Sequence, residues 1–171
     1  MLKPIFLKLA ISFALLVAGP SLAAELGKVT GGGKIIDVQG TKEVTVTFKA
    51  DSCKNEAINQ AVGGINVVDK ASNLHFKGNV VAHAKCNESS LPAIERITEC
   101  SLICEPRVGQ GAQMILAKSA DDGYVLLCVN DFGEGSNGSP DQAYLYFSKG
   151  QYKGYTQTGQ LNGNVQVQGC K

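Results

Sequence analysis

Residues 73–86 read Asn-Leu-His-Phe-Lys-Gly-Asn-Val-Val-Ala-His-Ala-Lys-Cys, and their alternation decides the fold. Leu74, Phe76, Gly78, Val80, Ala82, Ala84 and Cys86 fall on one side of an extended chain, His75, Lys77, Asn79 and His83 on the other. A period of two marks a strand with one buried face. Upstream, Thr41 to Ala50 repeats the pattern, with Val44, Val46, Phe48 and Ala50 opposite Glu43, Thr45, Thr47 and Lys49. Between the two lies the apolar run Gly64 to Asp69. The turn-forming Lys70-Ala71-Ser72-Asn73 then predicts a hairpin.

Further along, Ala93 to Cys104, Gln113 to Lys118, Tyr124 to Asn130, Ala143 to Ser148 and Asn164 to Gln168 are of strand length, separated by Gly, Asp, Asn or Ser clusters. Only Ser52 to Ala61 and Ser90 to Arg96 could hold a helical turn. About eight short strands without helical crossovers imply an antiparallel sandwich or barrel.

The chain has 171 residues, 16 basic against 15 acidic side chains, and no tryptophan. That length suits one domain. A near-neutral charge removes the electrostatic ground for nucleic-acid binding, and a hydrophobic fraction of 44% argues against disorder. Residues 1–23 read as a cleaved secretory signal: Lys3 and Lys8 precede an apolar run from Leu9 to Ala18, and Ser21-Leu22-Ala23 suits a signal peptidase. The run is too short to span a bilayer. Residues 24–171 are then a single exported β domain, periplasmic or secreted beyond the periplasm, whose formal charge falls from +1 to −1.

Six cysteines survive cleavage: Cys53, Cys86, Cys100, Cys104, Cys128 and Cys170. Export and an even count predict structural disulfides. No C-x2-C spacing supports a metal site, and pairing stays open among the fifteen arrangements that six cysteines allow. If Cys100 and Cys104 share an extended strand they are about 13 Å apart, too far to pair with each other.

The Gly31-Gly32-Gly33-Lys34-Ile35 opening, Gly64-Ile65-Asn66-Val67-Val68-Asp69, Phe76-Lys77-Gly78-Asn79-Val80, Asp131-Phe132-Gly133-Glu134-Gly135 and the closing Gly159-Gln160-Leu161-Asn162-Gly163-Asn164-Val165-Gln166 follow one another in an order that resembles the bacterial post-COAP domain, over about residues 29–168. The resemblance implies an immunoglobulin-like β-sandwich in a secreted or surface setting, with no established activity and no catalytic residues. The six cysteines and the longer Asp131 loop depart from that pattern.

Three groups of residues could carry chemistry. His75 and His83, read onto one strand face, are about 26 Å apart and cannot share a metal ion, so both are expected at the solvated surface. Asp131, Glu134, Asn137 and Asp141 place oxygen ligands on a glycine-rich loop, as Ca²⁺ requires, although the same residues make ordinary turns; Ca²⁺ is the only cofactor suggested. Tyr144, Tyr146, Phe147, Tyr152 and Tyr155 crowd into twelve residues. If Leu145 and Phe147 are core, Tyr144 and Tyr146 form an outer platform for a sugar ring or a partner protein, with Tyr152 and Tyr155 beside it. No G-x-S-x-G, H-E-x-x-H or suggestive carboxylate pair favours an enzyme. The expectation is a non-catalytic binding module for a glycan or protein at a surface. The alternative is an accessory or inhibitory protein with one stoichiometric protein partner.

Overall fold

A computed structural model describes residues 27–53, 61–85, 112–132 and 140–170. Eight strands follow in chain order: β1 (Lys28–Ile36), β2 (Glu43–Asp51), β3 (Val62–Asp69), β4 (Leu74–Lys85), β5 (Gln113–Lys118), β6 (Tyr124–Asn130), β7 (Gln142–Lys149) and β8 (Thr156–Gln168). Each pairs antiparallel with its neighbours in sequence, and β1 pairs with β8 from Lys28 opposite Gln168 to Ile36 opposite Gln160. The sheet therefore closes into a single barrel, which corrects the expected immunoglobulin-like sandwich. A sandwich needs strands that cross between two sheets. Here every connection is to the adjacent strand, and the glycine-rich β1, not recognised as a strand, supplies the closing pair. The predicted strand at Ala93 to Cys104 lies outside the described residues.

Alternation explains which face is inside. On β2, Val44, Val46, Phe48 and Ala50 are buried while Glu43, Thr45, Thr47 and Lys49 are exposed. They join Ile65, Val67, Leu74, Phe76, Ile115, Leu127, Leu145, Phe147, Leu161 and Val165 in one core. Eight strands enclose a lumen that side chains just fill. On β2 this apolar-in, polar-out pattern is the reverse of a lipid-facing strand. Among the described residues no helix is long and apolar enough to cross a membrane.

Glycines let the closing strands approach. A Cβ on Gly163 would lie 2.0 Å from the Gly32 carbonyl oxygen, and one on Gly31 would lie 2.6 Å from the Phe48 ring that covers it. Both positions require the missing side chain.

β4 contains a bulge: its register to β5 shifts between Val80 and Ala82. An extra residue inverts the facing of everything after it. Ala82 and Ala84 turn outward, and His83 turns in beside Ile115, where it is 1% exposed. This corrects the reading of His83 as a surface partner of His75; His75 alone is exposed. The outward alanines join Met114, Leu116, Leu126, Cys128 and Tyr144 in a second buried apolar cluster on the outer wall of β4 to β7.

The two ends of the barrel differ. Tight connections at residues 37–42, 70–73, 119–123 and 150–155 close one end. Residues 52–61, 86–112 and 131–141 connect strands at the other, where Cys53 and Cys170 form a disulfide with 5.2 Å between Cα atoms.

Candidate functional site

Carboxylates build the tight-turn end. Asp37 accepts from Thr41 N at 2.7 Å, Thr41 Oγ1 at 2.8 Å and Lys42 N at 3.1 Å. Asp69 accepts from Ala71 N at 2.9 Å and from the Tyr155 hydroxyl at 2.7 Å. Such side-chain acceptors satisfy turn amides that no strand partner reaches. Burial works against the Asp69 carboxylate, but the hydrogen bonds from Ser72, Tyr155 and Ala71 outweigh it and hold the carboxyl below its usual range. Burial and the neighbouring Asp69 push the Tyr155 phenol up, so it stays a donor at every physiological pH.

Aromatic rings seal the same end. Phe147, fully buried on β7, meets Phe76 edge-on at 5.1 Å, Tyr152 at 5.6 Å and Tyr155 at 5.9 Å. The Tyr152 hydroxyl accepts from His75 N at 3.2 Å, which ties the β7–β8 turn to β4.

A cleft of about 250 Å³ opens above these rings. Phe76, Phe147 and Tyr152 form its apolar side; His75, Lys77, Lys149, Asp121, Ser119 and Gln151 supply its polar groups. Ser119 holds Asp121 by a hydrogen bond that keeps its carboxyl below the usual range. The Lys149 ammonium also stands 5.0 Å from the Tyr124 ring, a cation–π contact that restrains it. Aromatic rings, two lysines and a fixed carboxylate thus line one concavity held by short turns. This is an arrangement that can bind, orient and discriminate.

The predicted tyrosines separate into two places. Leu145 and Phe147 are core, so Tyr144 and Tyr146 do face outward, but Tyr144 is only 4% exposed and Tyr146 is half-buried in the outer cluster. They do not form an exposed platform. Tyr152 lines the cleft, and Tyr155 lies beneath the turn that bounds it. Of the proposed calcium ligands, Glu134 and Asn137 lie outside the described residues. Asp141 accepts from Phe132 N at 3.1 Å and Val165 N at 2.9 Å. It thus latches the base of its loop onto β8. No cluster of three metal-ligating side chains occurs among the described residues. Cys128 is disulfide-bonded, and Cys86, Cys100 and Cys104 lie outside the described residues.

Sequence reading missed a buried polar trio at the opposite end. Ser52 Oγ lies 2.9 Å from His83 Nδ1, and His83 Nε2 lies 2.9 Å from Gln113 Oε1. The glutamine oxygen accepts a hydrogen bond from Nε2–H, leaving Nδ1 to accept from the Ser52 hydroxyl. A hydroxyl, a base and an orienting group are the parts of a nucleophilic dyad. All three, however, are at most 2% exposed. The pair Val80-Val81 was the signal that could have revealed it, because two apolar residues in succession break the alternation.

Comparison with protein families, characterised proteins and solved structures finds no match to this chain.

Proposed function

We propose that the protein is an exported, non-catalytic binding module that takes an acidic sugar, one bearing a carboxylate or sulfate, in the cleft at the tight-turn end. The carrying observation is the cleft itself, which Lys77, Lys149, Asp121 and the Tyr152 ring line together. An aromatic ring suits the apolar face of a sugar, the ammonium groups suit its anionic substituent, and the carboxylate accepts hydrogen bonds from its hydroxyls. The Cys53–Cys170 bond fits an oxidising compartment, in keeping with the signal read at residues 1–23. The buried Ser52–His83 pair supports no catalysis, since substrate would have to enter the packed lumen. The alternative, an accessory protein with one protein partner, draws no comparable support, because closure has given every strand two neighbours.

The test is titration of the protein with sulfated and uronic-acid oligosaccharides, followed by NMR. Binding should perturb the amides of His75, Lys77, Lys149 and Tyr152 and weaken as salt rises. The double change Lys77→Ala with Lys149→Ala should lower affinity tenfold or more without shifting the melting temperature by more than a few degrees. Binding that ignores both salt and the double change would refute the reading.

A further inference from the structure

A second cavity, of about 350 Å³, adjoins the cleft at the tight-turn end. The β1–β2 and β3–β4 turns contribute Lys42, Lys70 and Ser72 to it, and the outer faces of β1 to β3 contribute Lys34, Thr45 and Val68. The strand register joins the two hollows. Lys34 stands opposite Thr45, Thr45 opposite Val68, and Val68 opposite His75, which lines the cleft. With adjacent strands about 4.8 Å apart, this row crosses from β1 to β4 in about 14 Å. The hollows also share a support. Asp69 lines the second cavity and accepts from the Tyr155 hydroxyl at 2.7 Å, and the Tyr155 ring meets Phe147, which lines the cleft.

Charge decides what the second cavity takes. Its two carboxylates are already engaged: Glu43 pairs with Lys34 at 2.9 Å, and buried Asp69 accepts from Ala71 N, Ser72 N and Tyr155. Asp37, in the β1–β2 turn, does not line the cavity and accepts from Thr41 and the Lys42 amide. Lys42 and Lys70 are exposed, and neither forms an ion pair among the described residues. The two hollows together hold five lysines against three carboxylates, a surplus of two where the whole chain has a surplus of one. Between them, half-buried Val68 offers an apolar contact. We propose that the ligand is an acidic oligosaccharide with at least two anionic groups: Lys77 and Lys149 hold one in the cleft, Lys42 and Lys70 hold the other, and the chain between them crosses Val68 and His75. The proposal rests on the acidic-sugar reading of the cleft and extends it to chain length. Each ammonium pair makes charge-assisted hydrogen bonds. Once the first anionic group is held, the second meets its lysines at the raised local concentration of a tethered group.

Calorimetry of the full protein with the monomer and hexamer of galacturonic acid, and with glucose 6-sulfate and sulfated maltohexaose, tests it. In a series that binds, the hexamer should bind at least tenfold more tightly than the monomer, at one ligand per protein and with a steeper loss of affinity as salt rises. Lys42→Ala with Lys70→Ala should remove that advantage, and Lys42→Arg with Lys70→Arg should keep most of it. NMR on the unaltered protein gives a readout independent of variant folding: the hexamer should shift the amides of Thr45, Lys70 and Ser72 together with those of Lys77 and Lys149. If the hexamers gain nothing over the monomers, or the double alanine change leaves their gain intact, the bridging inference is overturned while the cleft reading stands. If Lys77→Ala with Lys149→Ala leaves all binding intact, the cleft reading itself falls and this inference with it, as both do if no ligand of either series binds.

Discussion

His83 couples the interior of the barrel to pH. Burial lowers its pKa below the usual value of 6.5, against smaller opposing effects from its hydrogen bond to Gln113 and the charge of Asp51. The folded protein therefore holds His83 neutral over a range in which the unfolded chain is protonated. Where the unfolded state binds more protons, stability rises with pH. The stabilising difference is complete above about pH 6.5 and is lost as pH falls from there toward the lowered folded value. Chemical denaturation should show a slope of up to about 1.4 kcal/mol per pH unit in that window. His83→Asn should be less stable at pH 7.5 but flatter between pH 6.5 and 5; an unchanged slope would show that another group titrates. The aspartates act lower. Asp51, held down first by its hydrogen bond with Lys28 and also by the Cys53 amide, contributes stability that is lost only as pH falls through the carboxylate range. Alternation correctly identified β4 and its inner residues up to Val80 but gave His83 the wrong face. The inserted residue that inverts the strand is itself an ordinary valine with β propensity.

β1 and β8 show at the element scale why closure was hard to read. Both contain glycines at inward positions, Gly31 and Gly33 on one and Gly163 on the other, so the hydrophobic alternation that marks β2 and β4 is interrupted. Only the end of β8, from Asn164, was legible as a strand, and β1 read as a glycine-rich opening. What replaces the missing side chains is the neighbouring strand itself, together with the Phe48 ring over Gly31. Gly163→Ala should cost about 1–3 kcal/mol by overpacking. Gly169→Ala, which meets nothing within 4 Å, should be nearly neutral. Urea unfolding of the two variants checks the contrast; equal stabilities would contradict the close approach of β1 to β8. The tyrosine cluster was legible as a group but not as a surface. Its two halves serve different ends of β7, Tyr144 on the outer wall and Tyr152 and Tyr155 over Phe147.

For the whole molecule, the disulfide between Cys53 and Cys170 joins residues 117 apart in sequence, linking the end of β2 to the segment after β8. Disulfide formation was foreseeable from export and the even cysteine count. The pairing was not, because it depends on which strand ends meet, and that follows from closure. Replacing both residues by serine should lower stability by about 2–5 kcal/mol through the entropy returned to the unfolded chain. The far-ultraviolet circular dichroism spectrum should stay unchanged, since eight paired strands remain. Loss of the β signal on replacement would mean that the hydrogen-bonded wall cannot persist without the covalent tie.

The pairing of β1 with β8 also makes closure depend on the last strand of the chain. Hairpins from β1 to β7 can form successively as the chain emerges, but β1 keeps one side unpaired until the last strand arrives. Contacts between the two extremes of a sequence are the slowest to be made. A ribosome or translocation channel that still holds residues 156–168 therefore holds back the final step. Without β8 in place, β1 and β7 would each keep an unpaired edge, and the lumen would lack Leu161 and Val165, exposing apolar surface and strand edges of the kind that aggregate.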